Sequence, residues 1–189
     1  MSVNIYKPNK SNTGFAFSFS RGKDKRTGEP ILYVKAVAQH SWDDKKKLGS
    51  FSENKNVLEK NINLKFNEFE CGEIISSFKN RHHYDSFHKF ESNKTSIKFA
   101  PWDKKIKITK INPDTKKFEE TFQVVPAFGL SITRNGNQNF KISLEPGEVE
   151  CLIVQIQSIL ADIYKYRYEK ISAYIKESIS ASEKEEPPF

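Results

Sequence analysis

The first 144 residues are dominated by short stretches in which apolar and polar residues alternate. Phe15, Phe17 and Phe19 alternate with Ala and Ser. A period of two is typical of a β-strand with one buried face, and we expect this phenylalanine stripe to be core rather than an exposed stacking surface. About eight antiparallel strands in hairpins are predicted in all. The other strands are predicted over residues 31–40, 60–66, 81–93, 95–100, 101–125 (a hairpin), 127–133 and 139–144.

Two stretches change to a helical period. Residues 67–78 predict a short helix that Asn67 could cap. Residues 144–164 predict a long helix, whose apolar side chains lie within about 140° of arc and whose first turn suits Pro146. The same positions fit a heptad, so this helix could cover a sheet and also pair with a copy of itself. The predicted oligomerisation residues are Leu152, Ile156, Ile159 and Ile163.

The order of elements predicts an α+β fold, in which helices cover antiparallel sheets. We expect a flexible N-terminus over residues 1–13, a folded domain over 14–165, a helical extension over 166–181 and a disordered acidic tail over 182–189. No apolar run approaches the about 20 residues of a membrane span, and the first residues lack the layout of a signal peptide. These features predict a cytoplasmic protein, or one of the host cytoplasm if the chain is viral.

Charge is distributed unevenly along the chain. Residues 1–144 contain 26 Lys and Arg against 15 Asp and Glu, whereas residues 145–189 contain 5 against 9. Solvation of the surface accounts for part of this in a chain with 29% charged residues. A basic body with an acidic end nevertheless favours a polyanionic partner.

Familiar catalytic and metal-binding motifs are missing from the sequence. It has no phosphate-binding glycine loop, no GxSxG, no HExxH and no Cys pair at zinc spacing. His82, His83 and His88 lie close in sequence, but without an accompanying Cys a structural or nucleic-acid contact is favoured over a metal site. Cys71 and Cys151 lie in apolar-patterned segments and are expected to be buried, reduced thiols. We therefore predict a protein that is not an enzyme and needs no cofactor or metal.

Basic residues interleaved with aromatic ones are the positive signal for function. Proteins that hold single strands combine a cationic groove with aromatic faces on which bases stack, at about 1–3 kcal/mol per base. The chain offers both residue types on strand faces and at loop tips, although Trp102 at a strand end could equally be a packing residue. The predicted nucleic-acid-binding residues are Arg21, Lys23, Lys25, Arg26, Tyr33, Lys35, Trp42, Lys65, His88, Lys89, Lys98 and Trp102.

Two segments of the chain resemble parts of a known family. LKFNEFECGEIISSF (residues 64–78) is similar to the Whirly strand-into-helix segment, and NFKISLEPGEVECLIVQIQSIL (139–160) is similar to the last strand and helix. The order of elements also resembles the smaller single-stranded DNA-binding domain of positive cofactor four. NTGFAFSFS stands where plant Whirly proteins carry a basic KGKAALS-type motif. The resemblance implies a Whirly-like fold, sequence-tolerant binding of single strands by sheet surfaces, and a homo-oligomer, dimer or tetramer, held together by the final helices.

The last seven residues, EKEEPPF, carry a second resemblance. They are similar to the acidic tip of bacterial and phage single-stranded DNA-binding proteins. A terminal phenylalanine and its carboxylate can enter an apolar pocket edged by basic side chains of a partner, while acidic residues steer the encounter. A tail that only solvates the protein is the alternative. The residues predicted to bind replication or repair proteins are Glu183, Glu185, Glu186 and Phe189.

These features predict a largely sequence-independent single-stranded DNA-binding protein of phage or bacterial type, acting in replication, recombination or repair. Two alternatives stay open. One is a transcription regulator or RNA-binding protein on the same scaffold, which competition between DNA and RNA would reveal because an RNA reader should use the 2′-OH. The other is an interaction scaffold whose basic face only solubilises it; charge reversal at Lys35, Lys65 and Lys98 that leaves nucleic-acid binding unchanged would favour this one.

Overall fold

The fold consists of two antiparallel sheets and two helices. The computed structural model describes residues 2–113 and 116–182. The helices are α1 (Glu68–Asn80) and α2 (Pro146–Ser182), and 3₁₀ turns lie at Glu53–Asn56 and Leu58–Lys60. The strands are β1 (Ser2–Lys7), β2 (Phe15–Lys23), β3 (Pro30–Ala38), β4 (Ser41–Asp43), β5 (Leu48–Ser50), β6 (Asn61–Phe66), β7 (Tyr84–Phe90), β8 (Asn93–Ile111), β9 (Phe118–Arg134) and β10 (Gln138–Leu144).

The strands form two four-stranded sheets and a small hairpin. Sheet I has the order β1-β2-β3-β6, sheet II has the order β10-β9-β8-β7, and β4 pairs with β5. The expected α+β fold with antiparallel sheets, a short helix midway and a long final helix is confirmed. Neither helix of the described chain combines the length and the hydropathy needed to cross a bilayer.

The main apolar core lies between the two sheets and the helices, and a small second cluster of Ala16, Val37 and Phe51 lies on the other face of sheet I. Sheet I contributes alternate residues such as Phe17 and Phe19, and sheet II contributes Phe99 and Leu130; all four are buried. The expected core position of the phenylalanine stripe is thus confirmed for these two residues. Phe15 packs at the margin of the core.

Helix α1 begins at a capping box, as the sequence predicts. The Asn67 side chain accepts a hydrogen bond from the Glu70 backbone N–H at 3.0 Å, and the Glu70 carboxylate accepts one from the Asn67 N–H at 3.0 Å. Two backbone donors without a helical partner are satisfied in this way. The helix buries Cys71, Ile74 and Phe78, whereas Phe69 is 78% exposed.

Helix α2 is one continuous helix of 37 residues, or about 55 Å at 1.5 Å per residue. Its apolar arc packs into the core of its own chain. The assignment of these residues to an oligomer seam is therefore wrong, because they are only 0–2% exposed and cannot reach a second copy without unfolding. They are Leu152, Ile156, Ile159 and Ile163.

Residues 2–7 form β1, within the segment 1–13 for which the sequence predicts flexibility. β1 pairs with β2 along its whole length, from Ser2 opposite Ser20 to Lys7 opposite Phe15. Ile5 faces the core and is buried there. A strand with one fully buried side chain gives little hydrophobic signal, and backbone pairing to β2 supplies the rest of its stability.

Two strands of sheet II, β8 and β9, are longer than predicted, whereas β7 is shorter than the expected 81–93. The expected strand over 95–100, the hairpin over 101–125 and the strand over 127–133 merge into β8 and β9. The described chain nevertheless has ten strands rather than about eight, because β1, β4 and β5 were not expected. Pro101 lies opposite Phe128, past the end of β7, and Pro126 lies opposite Asp103, past the end of β10. Each proline has a neighbouring strand on one side only, where a strand tolerates the missing N–H donor.

The two cysteines differ in environment. Cys71 is buried in α1, and burial raises the pKa of its thiol to about 12. Cys151 is exposed, so its expected burial is wrong. It lies on the side of α2 that faces away from the sheets.

The core position of Ile156 predicts a stability effect. Ile156→Ala should lower the free energy of unfolding by about 2–5 kcal/mol, because it removes buried methyl groups and leaves a cavity. Val154→Ala, two residues away on the exposed side of the same helix, is the matched control and should change stability by less than about 0.5 kcal/mol. Urea unfolding followed by circular dichroism measures both. Equal effects of the two changes would contradict this position of the helix.

Candidate nucleic-acid interface

The twelve predicted nucleic-acid-binding residues fall into separate regions of the structure. The regions are the outer face of sheet I, the turn between β2 and β3, a cleft between β6 and β7, and a depression on the outer face of sheet II. Arg21 and Trp42 lie outside these regions. The role of each residue in binding stays a prediction.

The outer face of sheet I brings Tyr33, Lys35 and Lys65 together. Tyr33 lies directly across from Lys65 in the strand register, and the Lys65 ammonium lies 5.8 Å from the centre of the Tyr33 ring. The ring is stacked flat on the backbone of Gly22, where a Cβ would lie 2.3 Å from two of its carbon atoms. Glycine is therefore required for this ring position. The result is a half-exposed aromatic ring with a cation at its edge.

The turn between β2 and β3 presents Lys23, Lys25 and Arg26 to solvent. Asp24 organises it: one carboxylate oxygen accepts hydrogen bonds from the backbone N–H of Arg26 (2.9 Å) and Thr27 (3.1 Å). The other oxygen accepts one from Lys65 at 3.1 Å. These bonds, those from the backbone first, lower the pKa of Asp24 to about 2.

Helix α2 holds the same turn from the other side. The Tyr166 hydroxyl donates to the Thr27 carbonyl at 2.6 Å, and the Arg167 guanidinium binds Glu29 at 2.5 Å. Arg167 also forms a two-pronged pair with Glu68 of α1 at 2.9 Å for each bond. A basic turn that would otherwise be mobile is thereby fixed against the body of the protein.

A cleft of about 590 Å³ lies between the edge strands β6 and β7. It contains three predicted residues, Lys65, His88 and Lys89, together with Phe90 and Arg134, which sequence reasoning missed. Phe90 is 72% exposed and continues the alternation of β7 past His88, which was the signal available for finding it.

His88 is held rigidly at the floor of this cleft. Its Nε2 lies 2.6 Å from the Glu70 carboxylate, which also accepts a hydrogen bond from Ser86 at 2.7 Å. Burial opposes ionisation of Glu70, but the hydrogen bonds from His88, Ser86 and the Asn67 N–H hold its pKa below its ordinary value. His88 therefore serves the packing between α1 and β7 as well as lining the cleft.

The outer face of sheet II carries a depression of about 660 Å³, which is within the usual range for ligand sites. Its floor consists of the small residues Ala100, Gly129, Ser131 and Ser143. Trp102, which is 42% exposed, lines it together with Lys7, whose ammonium pairs with Glu148 at 2.6 Å, and with two further lysines. Those lysines are Lys98, which was predicted, and Lys141, which was missed although it alternates with buried Phe140 and Ile142 on β10.

Two predicted residues have other contacts. Arg21 lies on the core side of β2 and pairs with Asp162 of α2 at 2.7 Å, so it joins the helix to sheet I. Trp42 lies in the β4–β5 hairpin, where its indole N–H donates to Asp44 at 3.1 Å. Arg21 continues the odd positions of Phe15, Phe17 and Phe19, and this alternation was the signal that places it on the core side of β2.

Two further expectations concern partners and metals. The tail residues Glu183, Glu185, Glu186 and Phe189 lie outside the described residues. Within residues 2–113 and 116–182, His, Cys, Asp and Glu side chains nowhere gather in threes as they would around a metal ion.

Two packed four-stranded sheets, a capped helix after β6 and a long final helix define a Whirly-like fold. One similar solved structure is that of the plant transcriptional regulator PBF-2, with a TM-score of 0.51 and 13% sequence identity; the match covers 91% of this chain and 86% of that one. Another is WHY1 from Arabidopsis thaliana, with a TM-score of 0.50 and 13% sequence identity; the match covers 100% of this chain and 96% of that one. No family model and no curated protein matches the sequence. The resemblance expected from the sequence is thus confirmed for the fold.

Proposed function

We propose that this chain is a non-enzymatic protein that binds single-stranded nucleic acid, with DNA as its main ligand and little dependence on sequence. The observation that carries the proposal is the depression on sheet II, in which Trp102 and two lysines surround a floor of small side chains. An indole face can stack on any base, and lysines can neutralise the phosphates on either side. The small floor leaves room for a base to lie against the strand backbone.

The other basic surfaces would extend the same contact. Tyr33 and Lys35 on sheet I, and Lys89 and Phe90 at the cleft, add cations and aromatic rings on either side of the β6 edge. Such a surface suits a flexible single strand better than a duplex, because bases must be unpaired to stack on the protein. We propose that the protein coats strands exposed in replication, recombination or repair.

A transcription regulator or RNA-binding protein on the same scaffold is the second candidate. The structural likeness to PBF-2, which is described as a plant transcriptional regulator, favours it. A direct competition between DNA and RNA oligonucleotides of one sequence distinguishes the two candidates, because a protein adapted to RNA gains contacts to the 2′-OH.

The depression predicts a specific loss of binding. Trp102→Ala should weaken binding of a labelled single-stranded oligonucleotide by about 1–3 kcal/mol, because one stacking face is lost. Gly129→Val should also weaken binding, because it fills the floor while a Cβ there meets only the Ala100 carbonyl oxygen at an ordinary 3.9 Å. Fluorescence anisotropy at two salt concentrations measures both, and affinity should fall with a slope of about −0.7 per phosphate contact.

Phe69→Ala is the matched control for this experiment, since Phe69 is an exposed aromatic residue on α1, outside the predicted binding residues, and its loss should leave affinity unchanged. Equal affinity of the wild-type protein for duplex and single strand, or no affinity for either, would refute the proposal.

We further propose that the chain forms a homo-oligomer through the exposed side of α2. Past the core, Tyr164, Tyr168, Ile171 and Ile175 are exposed and follow one another at spacings of four, three and four. This is the spacing of a coiled-coil seam, and an exposed apolar row of this kind is suited to a second copy of the same helix. We propose these exposed residues as the oligomer contact in place of the buried residues Leu152, Ile156, Ile159 and Ile163.

The exposed row predicts a change of mass. The double change Tyr168→Ser and Ile171→Ser should dissociate the oligomer without unfolding the protomer, because neither side chain belongs to the core. Sedimentation velocity with and without a single-stranded oligonucleotide measures it, and Lys176→Ser on another side of the helix is the control. A monomeric wild type, or a mass unaffected by the double change, would contradict this assembly.

The acidic end is proposed to recruit replication or repair proteins. Deletion of residues 183–189 should abolish their recovery in a pull-down and leave strand binding intact or slightly tighter, since an acidic tail competes weakly with nucleic acid for the basic body. Phe189→Ala should reproduce the loss of partners. Loss of strand binding after the deletion would contradict this division of roles.

A further inference from the structure

β8 and β9 continue together beyond sheet II as a two-stranded arm, in which residues 103–111 pair with residues 118–126. At about 3.3 Å per residue the arm extends roughly 30 Å. Two ion pairs hold its base: Lys104 with Glu145, the residue before α2, at 2.5 Å, and Arg81 with Asp103 at 3.0 Å. The arm therefore leaves the body of the protein in a defined direction.

The apolar pattern of the sheet II core continues along one face of the arm. Odd positions of β8 and even positions of β9 point into the core as far as Phe99 and Phe128. Beyond that point the same positions carry large apolar side chains that are 57–77% exposed, namely Ile111, Phe118, Phe122 and Val124. A two-stranded ribbon with an uncovered apolar row is marginally stable alone in water, and such a row indicates a binding surface.

Lysines are interleaved with this row. Lys105 lies directly across from Val124 and Lys107 directly across from Phe122, which places the Cβ atoms of each pair about 5 Å apart. The sequence of residues 103–126 contains six lysines and four acidic residues. Lys107 pairs with Glu120 at 2.5 Å, but both side chains are more than half exposed, and such a pair contributes little.

We propose that the arm is a second binding site for single-stranded nucleic acid, with Phe118 and Phe122 stacking on bases and Lys105 and Lys107 contacting phosphates. The excess of positive charge selects a polyanion over a second copy of this basic chain. The proposal rests on the function proposed above. Because the row lies on the opposite face of the ribbon from Trp102, the arm is a separate contact that only a long strand can reach while it occupies the depression.

Strand length separates the two sites experimentally. The affinity of the full chain is measured for two single-stranded oligonucleotides. One of about 10 nucleotides is long enough for a single binding surface, and one of about 40 nucleotides is long enough for several. The double change Phe118→Ser and Phe122→Ser should weaken binding of the long strand by about fivefold or more for each lost stack and leave the short strand nearly unaffected. Thr121→Ala with Gln123→Ala, on the other face of the same strand, is the matched control.

A second measurement does not depend on the phenylalanines. Lys105→Gln with Lys107→Gln should reduce the salt slope for the long strand by about 0.7 per lost phosphate contact. Long-strand binding that is unchanged in both arm variants, with the wild type binding normally, would overturn the arm site and leave the proposed function standing. A fall in oligomer mass in the phenylalanine variant would also overturn it, because the arm would then bind a second copy. Failure of the wild type to bind either oligonucleotide would refute the proposed function itself.

Discussion

The packing of the apolar arc of α2 against the two sheets is the interaction on which the rest of the structure depends. Full burial of a single large aliphatic side chain contributes about 1.5–3 kcal/mol, and Leu152, Ile156 and Ile163 are all buried between the sheets. Because α2 packs against the core-facing sides of both sheets, neither α-helix of the described chain covers the outer faces of sheets I and II. The position of α2 thus explains why the lysines and exposed aromatic rings are available on those faces.

The same helix fixes the basic turn between β2 and β3 through charge rather than apolar contact. Arg167 binds Glu68 and Glu29, and the paired guanidinium holds the pKa of Glu68 below its ordinary value against the effect of burial. A carboxylate with a lowered pKa stabilises the fold above its unfolded pKa, and this contribution is lost as the pH falls through its folded pKa. The contact between α1, α2 and the turn is therefore sensitive to acid, whereas the apolar core is not.

Local patterns in the sequence predict both helices and most strands, but they do not reveal β1, β4 and β5 or which elements pack together. The period of two in β2, β3 and β6 and the capping box at Asn67 depend on residues close in sequence, and they were predictable. The apolar arc of α2 satisfies a core position and a coiled-coil seam equally well, so only tertiary contacts decide between them. Arg21 and Tyr33 look alike by residue type, but Arg21 has the parity of the buried phenylalanines of β2 and therefore faces α2, where its partner Asp162 depends on tertiary packing. The sequence predicts breaks in β8 and β9 at Pro101 and Pro126, because a proline usually ends a strand. Only the sheet topology shows that each proline lies where its strand has a neighbour on one side alone.

The floor of the depression on sheet II is the feature that folding alone does not explain. Gly and Ser are poor strand formers, and a glycine inside a strand weakens it because it has no side chain to pack. The space above Gly129 is open, so no close contact in the protomer requires a glycine there. Ala100, Ser131 and Ser143 are equally small around it, while Lys98, Lys141 and Trp102 surround them. The proposed function gives this group of residues a role, because an unpaired base that stacks on the indole beside two cations must approach the strand backbone closely.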